Sequence, residues 1–223
     1  MCSPAKIQIS PQEMELVTHT QWILTKHVII KKVFEMFGEI NEIFKKQATP
    51  YHYLFPENIK HQNGKISRGE NYQLLPYAIL DYPSFFWKNR VFAVRTMFWW
   101  GNFFSITLHL SGEHKDKYIP SSKEIFSFLQ KNNYFICINE DEWQHHFEED
   151  NYIPASSIGF NQFEKINEKY FIKISKKIPL TEWDNVNDFF LNCFKEIIEL
   201  LQINSPAGKK DLLPGFPKAG SDL

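Results

Sequence analysis

Apolar and polar positions alternate most clearly between Arg90 and Gly112, RVFAVRTMFWWGNFFSITLHLSG, where two β-rich runs flank Gly101-Asn102. Gly-Asn between alternating runs predicts a β-hairpin. Glycine at the first central position accepts the positive φ of a type II′ turn. With a two-residue loop, Trp100 faces Phe103. The pairs Trp99/Phe104, Met97/Ile106, Arg95/Leu108 and Ala93/Leu110 then share one face. Phe98/Ser105, Thr96/Thr107, Val94/His109 and Phe92/Ser111 share the other. The first face is almost wholly apolar and is assigned to the core, which places Arg95 in its middle.

The other elements follow from the same patterning. Ser10-Pro11-Gln12-Glu13 combines a serine cap, proline at the first helical position and a glutamate that closes a capping box, so a short helix starts there. Thr25 caps a longer helix running to about Gln47, with Ile29, Val33, Met36/Phe37, Ile40 and Phe44 in one apolar stripe. Residues 49 to 70, with Pro50, Pro56, Gly64 and Gly69, read as a long irregular connection. NYQLLPYAILDY, from Asn71 to Tyr82, is a strand whose Pro76 predicts an edge position or a bulge. Ser121 and Glu124 open a helix ending at Asn132-Asn133, and YFICIN from Tyr134 is a further strand. Residues 140 to 150 read as a short surface helix and 151 to 167 as loop. KYFIKISKK from Lys169 is a fifth strand, and Thr181 caps a closing helix with Val186, Phe190, Cys193, Ile197 and Leu201 on its apolar side. The segment EHKDKY, 113–118, reads as polar and exposed.

The fold class is therefore α+β: an antiparallel sheet of about five strands built on the central hairpin, flanked by N-terminal and C-terminal helices. Residues 1–204 form a single domain. Residues 205–223, with three Pro and three Gly, form a flexible tail.

Composition narrows the function classes. With 43% hydrophobic and 16% aromatic residues the chain fills a core. A net charge of −1 argues against broad nucleic-acid binding. Cys2, Cys137 and Cys193 form neither a CxxC pair nor an even framework, and the N-terminus lacks the apolar core of a signal peptide. No apolar run approaches the roughly 20 residues that span a bilayer. A soluble cytoplasmic protein with no membrane association follows, and no cofactor is implied: P-loop and GxGxxG motifs are both missing.

Arg95 is the leading candidate site. The chain holds three arginines, Arg68, Arg90 and Arg95, against twenty-two lysines. An arginine at a core-facing strand position uses its planar fork, and an unpaired buried cation is costly. Arg95 either accepts an anionic ligand beneath the sheet or pairs internally with Asp81, Glu70 or an acid from a covering helix. If Asp81 or Glu70 saturates the guanidinium, the anion pocket fails. Arg68, Glu70 and Asn71, where the irregular connection meets the first strand, are further ligand handles or simply a turn. The other hairpin face, with Thr96, Ser105, Thr107 and His109, is a polar cleft or a wetted strand surface. In EDEWQHHFEED, His145, His146 and Glu149 are candidate metal ligands, although the spacing is not HExxH and adjacent histidines diverge on a helix.

The block ENYQLLPYAILDYP…VFAVRTMFWWGNFFSITLHLSG resembles the central part of a conserved uncharacterised protein family of Bacteroidota. The resemblance implies kinship and no activity. A non-enzymatic binding or interaction protein, its ligand or partner presenting an anionic group toward Arg95, is the first functional expectation. A metal-assisted hydrolase built on His145 and His146, with His109 as a further ligand, is the second. A scaffold whose tail carries recognition is the third.

Overall fold

The computed structural model describes residues 7–59 and 62–204; the expected tail, 205–223, and Cys2 lie outside the described residues. Two helices, α1 (Pro11–Thr18) and α2 (Thr20–Ala48), lead through short 3-10 turns into four strands: β1 (Lys65–Tyr72), β2 (Leu75–Trp87), β3 (Arg90–Trp99) and β4 (Phe103–Ser111). Helices α3 (Glu113–Tyr118) and α4 (Lys123–Lys131), strands β5 (Phe135–Cys137) and β6 (Tyr152–Pro154), α5 (Phe160–Asn167), β7 (Phe171–Pro179) and α6 (Val186–Gln202) follow. The fold is α+β. Its sheet has seven strands in the order β1-β2-β3-β4-β7-β5-β6, every pairing antiparallel.

The expected strand count of five was low because β1 and β6 carry no apolar alternation. KISRGENY in β1 is partly or fully exposed throughout and is held by its backbone ladder to β2, while β6 is three residues long. Pro76 does not put β2 at an edge, since β2 lies between β1 and β3, but it does mark a bulge: the β1–β2 register shifts between Gly69 and Tyr72, opposite Pro76, and a second shift against β3 falls between Asp81 and Ser84.

The hairpin register also departs from expectation. The loop has three residues, Trp100 to Asn102, so Trp99 pairs with Phe103. Gly101 takes φ +70° inside a turn closed by the Asn102 N–H on the Trp99 carbonyl at 3.1 Å, and the Trp100 N–H bonds instead to Pro76 O at 3.1 Å. A one-residue slip moves every β4 side chain to the opposite face relative to β3. Phe92, Val94, Thr96 and Phe98 therefore share the core face with Leu110, Leu108, Ile106 and Phe104. Arg95 stands on the other face, beside Thr107, and is not on the apolar face assigned to it.

Helices α2 and α6 cover the core face. Val33, Phe37, Ile40 and Phe44 of α2 meet Phe190, Phe194 and Ile197 of α6 over Leu80, Val94 and Leu108. The Phe44 and Phe194 rings stack at 4.0 Å. Each such fully buried side chain stabilises the fold by roughly 1.5–3 kcal/mol. The first buried residue of α2 is Val33; before it, Ile29 and Ile30 are half-buried against the same core and Lys26 pairs with Glu70 of β1 at 2.9 Å.

Two polar segments fold differently from their patterning. EHKDKY is helix α3, not an exposed stretch, and it buries His114, Lys115 and Tyr118, with Lys115 Nζ donating to Asn167 O at 2.7 Å. Residues 140 to 150 form turns instead of a helix. Asn139 Oδ1 accepts the Asp141 N–H at 2.8 Å, and Asp141 Oδ1 accepts that of Trp143 at 2.9 Å. These local side-chain bonds give the backbone an alternative to the helical ladder.

Candidate functional site

The sheet face opposite the helices carries a row of polar residues in register: Asp81 on β2, Arg95 on β3, Thr107 on β4 and Ser175 on β7. One step along, His109 of β4 faces Lys173 of β7. Segment 138–151 lies over this face as a strap. Phe147 anchors it, stacking on Tyr152 at 4.5 Å with its ring against the edges of Phe103 and Phe135. Arg95, His109 and the His145/Glu142 segment, which the sequence offers as three separate candidates, thus meet in a single layer.

Asp81 takes the Arg95 fork in two bonds, Nε to Oδ1 at 2.8 Å and Nη2 to Oδ2 at 3.0 Å. The remaining Nη1 lies 3.2 Å from His145 Nε2. A guanidinium has only donors, so His145 Nε2 accepts and its ring is neutral with the proton on Nδ1. Burial holds His145 well below its ordinary pKa, and the nearby Lys173 and Arg95 charges push the same way. His109 Nε2 lies 2.8 Å from Glu142 Oε2, and Tyr170 also donates to Glu142. Burial lowers His109 despite this bond. At Glu142 burial works upward, but the bonds from His109 and Tyr170 outweigh it and hold the carboxyl below its usual value. His109 is accordingly a neutral donor to a carboxylate.

Lys173 is 1% exposed, and burial pulls its amine from 10.5 down to about 8. It donates to the Gln144 carbonyl of the strap. Tyr72, at the end of β1, ties down the same segment. Its hydroxyl accepts the backbone N–H groups of His145 at 2.6 Å and His146 at 3.0 Å, and donates to His146 Nδ1 at 2.9 Å. Two anions, Asp81 and Glu142, thus balance two cations, Arg95 and Lys173, around two neutral imidazoles.

Several expected site residues lie elsewhere. Glu70 pairs with Lys26 of α2 at 2.9 Å, Asn71 Oδ1 accepts the Leu74 N–H at 3.2 Å in the β1–β2 turn, and Arg68 is exposed on β1. None of the three reaches Arg95. His146 turns away from His145, toward Tyr72 and Asp150, and Glu149 is exposed. Among the described residues no group of three or more His, Cys, Asp or Glu could hold a metal ion, which removes the ligand set of the hydrolase reading. The anion pocket loses its cation, because Asp81 occupies the fork.

Sequence reasoning missed Tyr72, Tyr170, Lys173 and Ser175. Lys173 and Ser175 alternate with Ile172 and Ile174 in KYFIKISKK, and this period-2 pattern alone puts them on the face opposite the core. No family model, curated protein or solved structure is detectably similar to this chain. The layer's charged groups and imidazoles bond to one another and to the strap, so its chemistry is that of a clasp that fixes segment 138–151 to the sheet, while the Tyr152 hydroxyl and Trp99 Nε1 on the same face have no hydrogen-bond partner among the described residues. The surface depressions lie apart from it, one between Gln47, Tyr51 and Gln202, another between Ile30, Phe34 and Arg68.

Proposed function

We propose that this chain is a non-enzymatic interaction protein and that its contact element is the N-terminal helical arm, α1 with the first turns of α2. One observation carries the reading. No residue of α1 is buried, and Met14, Leu16, Val17, Trp22, Leu24 and Val28 stand 47–60% exposed along the arm. Large apolar side chains exposed in such density along one short segment mark an interaction site. An eight-residue helix with no tertiary support is marginal in water, so a surface that packs on α1 would also stabilise it. The engagement of Arg95 with Asp81 favours a contact through the arm over an anionic ligand under the sheet.

The reading places the protein in a reducing compartment, the cytoplasm, on the strength of Cys137 and Cys193, which are buried free thiols. No helix among the described residues is long and apolar enough to cross a membrane. The test is in-cell crosslinking of tagged full-length protein, wild type against Trp22→Glu/Leu24→Glu. Crosslinks lost in the variant support the arm as the contact element. An identical crosslinking pattern refutes it.

A further inference from the structure

We infer that the arm's partner is a second copy of this chain, joined through a two-fold pairing in which α1 of each copy lies antiparallel on the outer side of α2 of the other. The inference rests on the interaction reading above and names its partner. Three features of the arm select this occupant.

The first is connectivity. A single residue, His19, separates α1 from α2, and its Nδ1 accepts the Trp22 N–H at 3.0 Å. An antiparallel helix pair needs a link of about two to five residues, so α1 cannot fold back on its own α2. A second chain can supply what the first cannot reach.

The second is charge. Leu24, Val28, Lys31 and Lys32 recur at helical spacing on the side of α2 turned away from Val33, Phe37 and Ile40. On α1, Glu13, Leu16 and Val17 share a side in the same way. Antiparallel stacking sets Leu16 and Val17 on Leu24 and Val28 and brings Glu13 to Lys31 and Lys32. A two-fold axis repeats each contact, as an isologous interface requires. The arm's charges, Glu13 and Glu15 on α1 against Lys26, Lys31 and Lys32 on α2, are segregated by sign as a reciprocal pairing of the two helices requires.

The third is exposure. Leu16, Val17, Leu24 and Val28 are each 53–60% exposed, and a two-fold axis buries all eight side chains of the pair at once.

The experiment is sedimentation equilibrium of the full-length protein at micromolar concentration, with near-UV circular dichroism to verify the fold of each variant. The expected wild-type mass is twice the chain's 26.5 kDa. Val28→Glu lies outside the core and is expected to weaken dimerisation about a hundredfold with the body's spectrum unchanged. Glu13→Gln retains the reciprocal cap with Ser10 while removing the charge. Combined with Lys32→Gln it should show a coupling of roughly threefold in the dimer constant. A monomeric wild type, or a dimer indifferent to Val28→Glu, overturns the inference. If that monomer still makes arm-dependent crosslinks to another protein in cells, the interaction reading survives. If it makes none, both fall. A monomer that floats with phosphatidylglycerol vesicles also overturns the second copy and makes the occupant a lipid surface.

Discussion

Replacing Lys173 with Met gives the sharpest physical test of the polar layer. The amine is almost wholly buried and titrates near pH 8 in the fold against 10.5 for the free side chain, burial being the largest cause. The lowered value means that the fold disfavours the charged amine by about 3 kcal/mol relative to the neutral one. Below pH 8 both states are protonated and the full cost is present. Between 8 and 10.5 the unfolded chain holds a proton that the folded chain has released, so stability rises with pH, approaching about 1.4 kcal/mol per unit. Other groups oppose this. Burial raises Cys193 and Tyr170 to about 12, and each withdraws stability as the unfolded chain loses its proton first. These contributions are common to both proteins and cancel in the difference. Lys173→Met removes the amine along with its bond to Gln144 O; the two effects are of similar size, so the variant should lie within about 1 kcal/mol of wild type at pH 7. Urea titrations of the pair from pH 7 to 10.5 should show wild type gaining about 2–3 kcal/mol on the variant across the window. A difference that does not change with pH refutes the buried, charge-disfavoured lysine.

The layer and the hairpins make three further predictions. Asp81→Asn leaves the Arg95 cation without its bidentate partner and should cost about 3–5 kcal/mol in urea unfolding, while Asp81→Leu/Arg95→Met recovers most of the loss; equal losses in the single and double variants would count against a desolvated pair. His145 and His109 are held neutral below their ordinary pKa, so the unfolded chain takes up protons first and stability falls as pH drops through about 6.5 and below, by up to 1.4 kcal/mol per unit for each. Amide exchange across 138–151 should quicken over that range before the core does, and uniform exchange would refute strap release. In the β1–β2 turn Leu74 sits at φ +64° with its side chain 87% exposed, so Leu74→Gly should raise stability by about 1 kcal/mol, and a lowered melting temperature would show that the left-handed leucine is not strained.

What the sequence revealed and what it concealed follow from how each feature is encoded. The stripe of α2, the apolar side of α6 and the central hairpin rest on repeating apolar positions, and all were legible. The hairpin's register was not. β3 is apolar on both faces, with Val94 and Phe98 on one and Met97 and Trp99 on the other, so its own pattern cannot choose a side. β4 alternates strictly, and only the loop length decides which β3 residues join Leu108 and Leu110. A single residue in that loop moved Arg95 from an imagined core to a polar layer. The same slip explains why Arg95, His109 and His145 looked like separate sites: in the assumed register Arg95 and His109 point to opposite faces, and a helical 140–150 would have pointed its histidines at solvent. Asx turns at Asn139 and Asp141, which compete locally with the helix, bring that segment down instead. Once the three are joined, each charge in the layer is bonded within it or to the strap, and the densest run of exposed apolar side chains lies at the other end of the chain. There, apolar residues flank a one-residue link that cannot close on itself. The arm was legible as a helix from its capping box, but its loneliness was not, because periodicity records which face is apolar and not whether anything in the same chain reaches it.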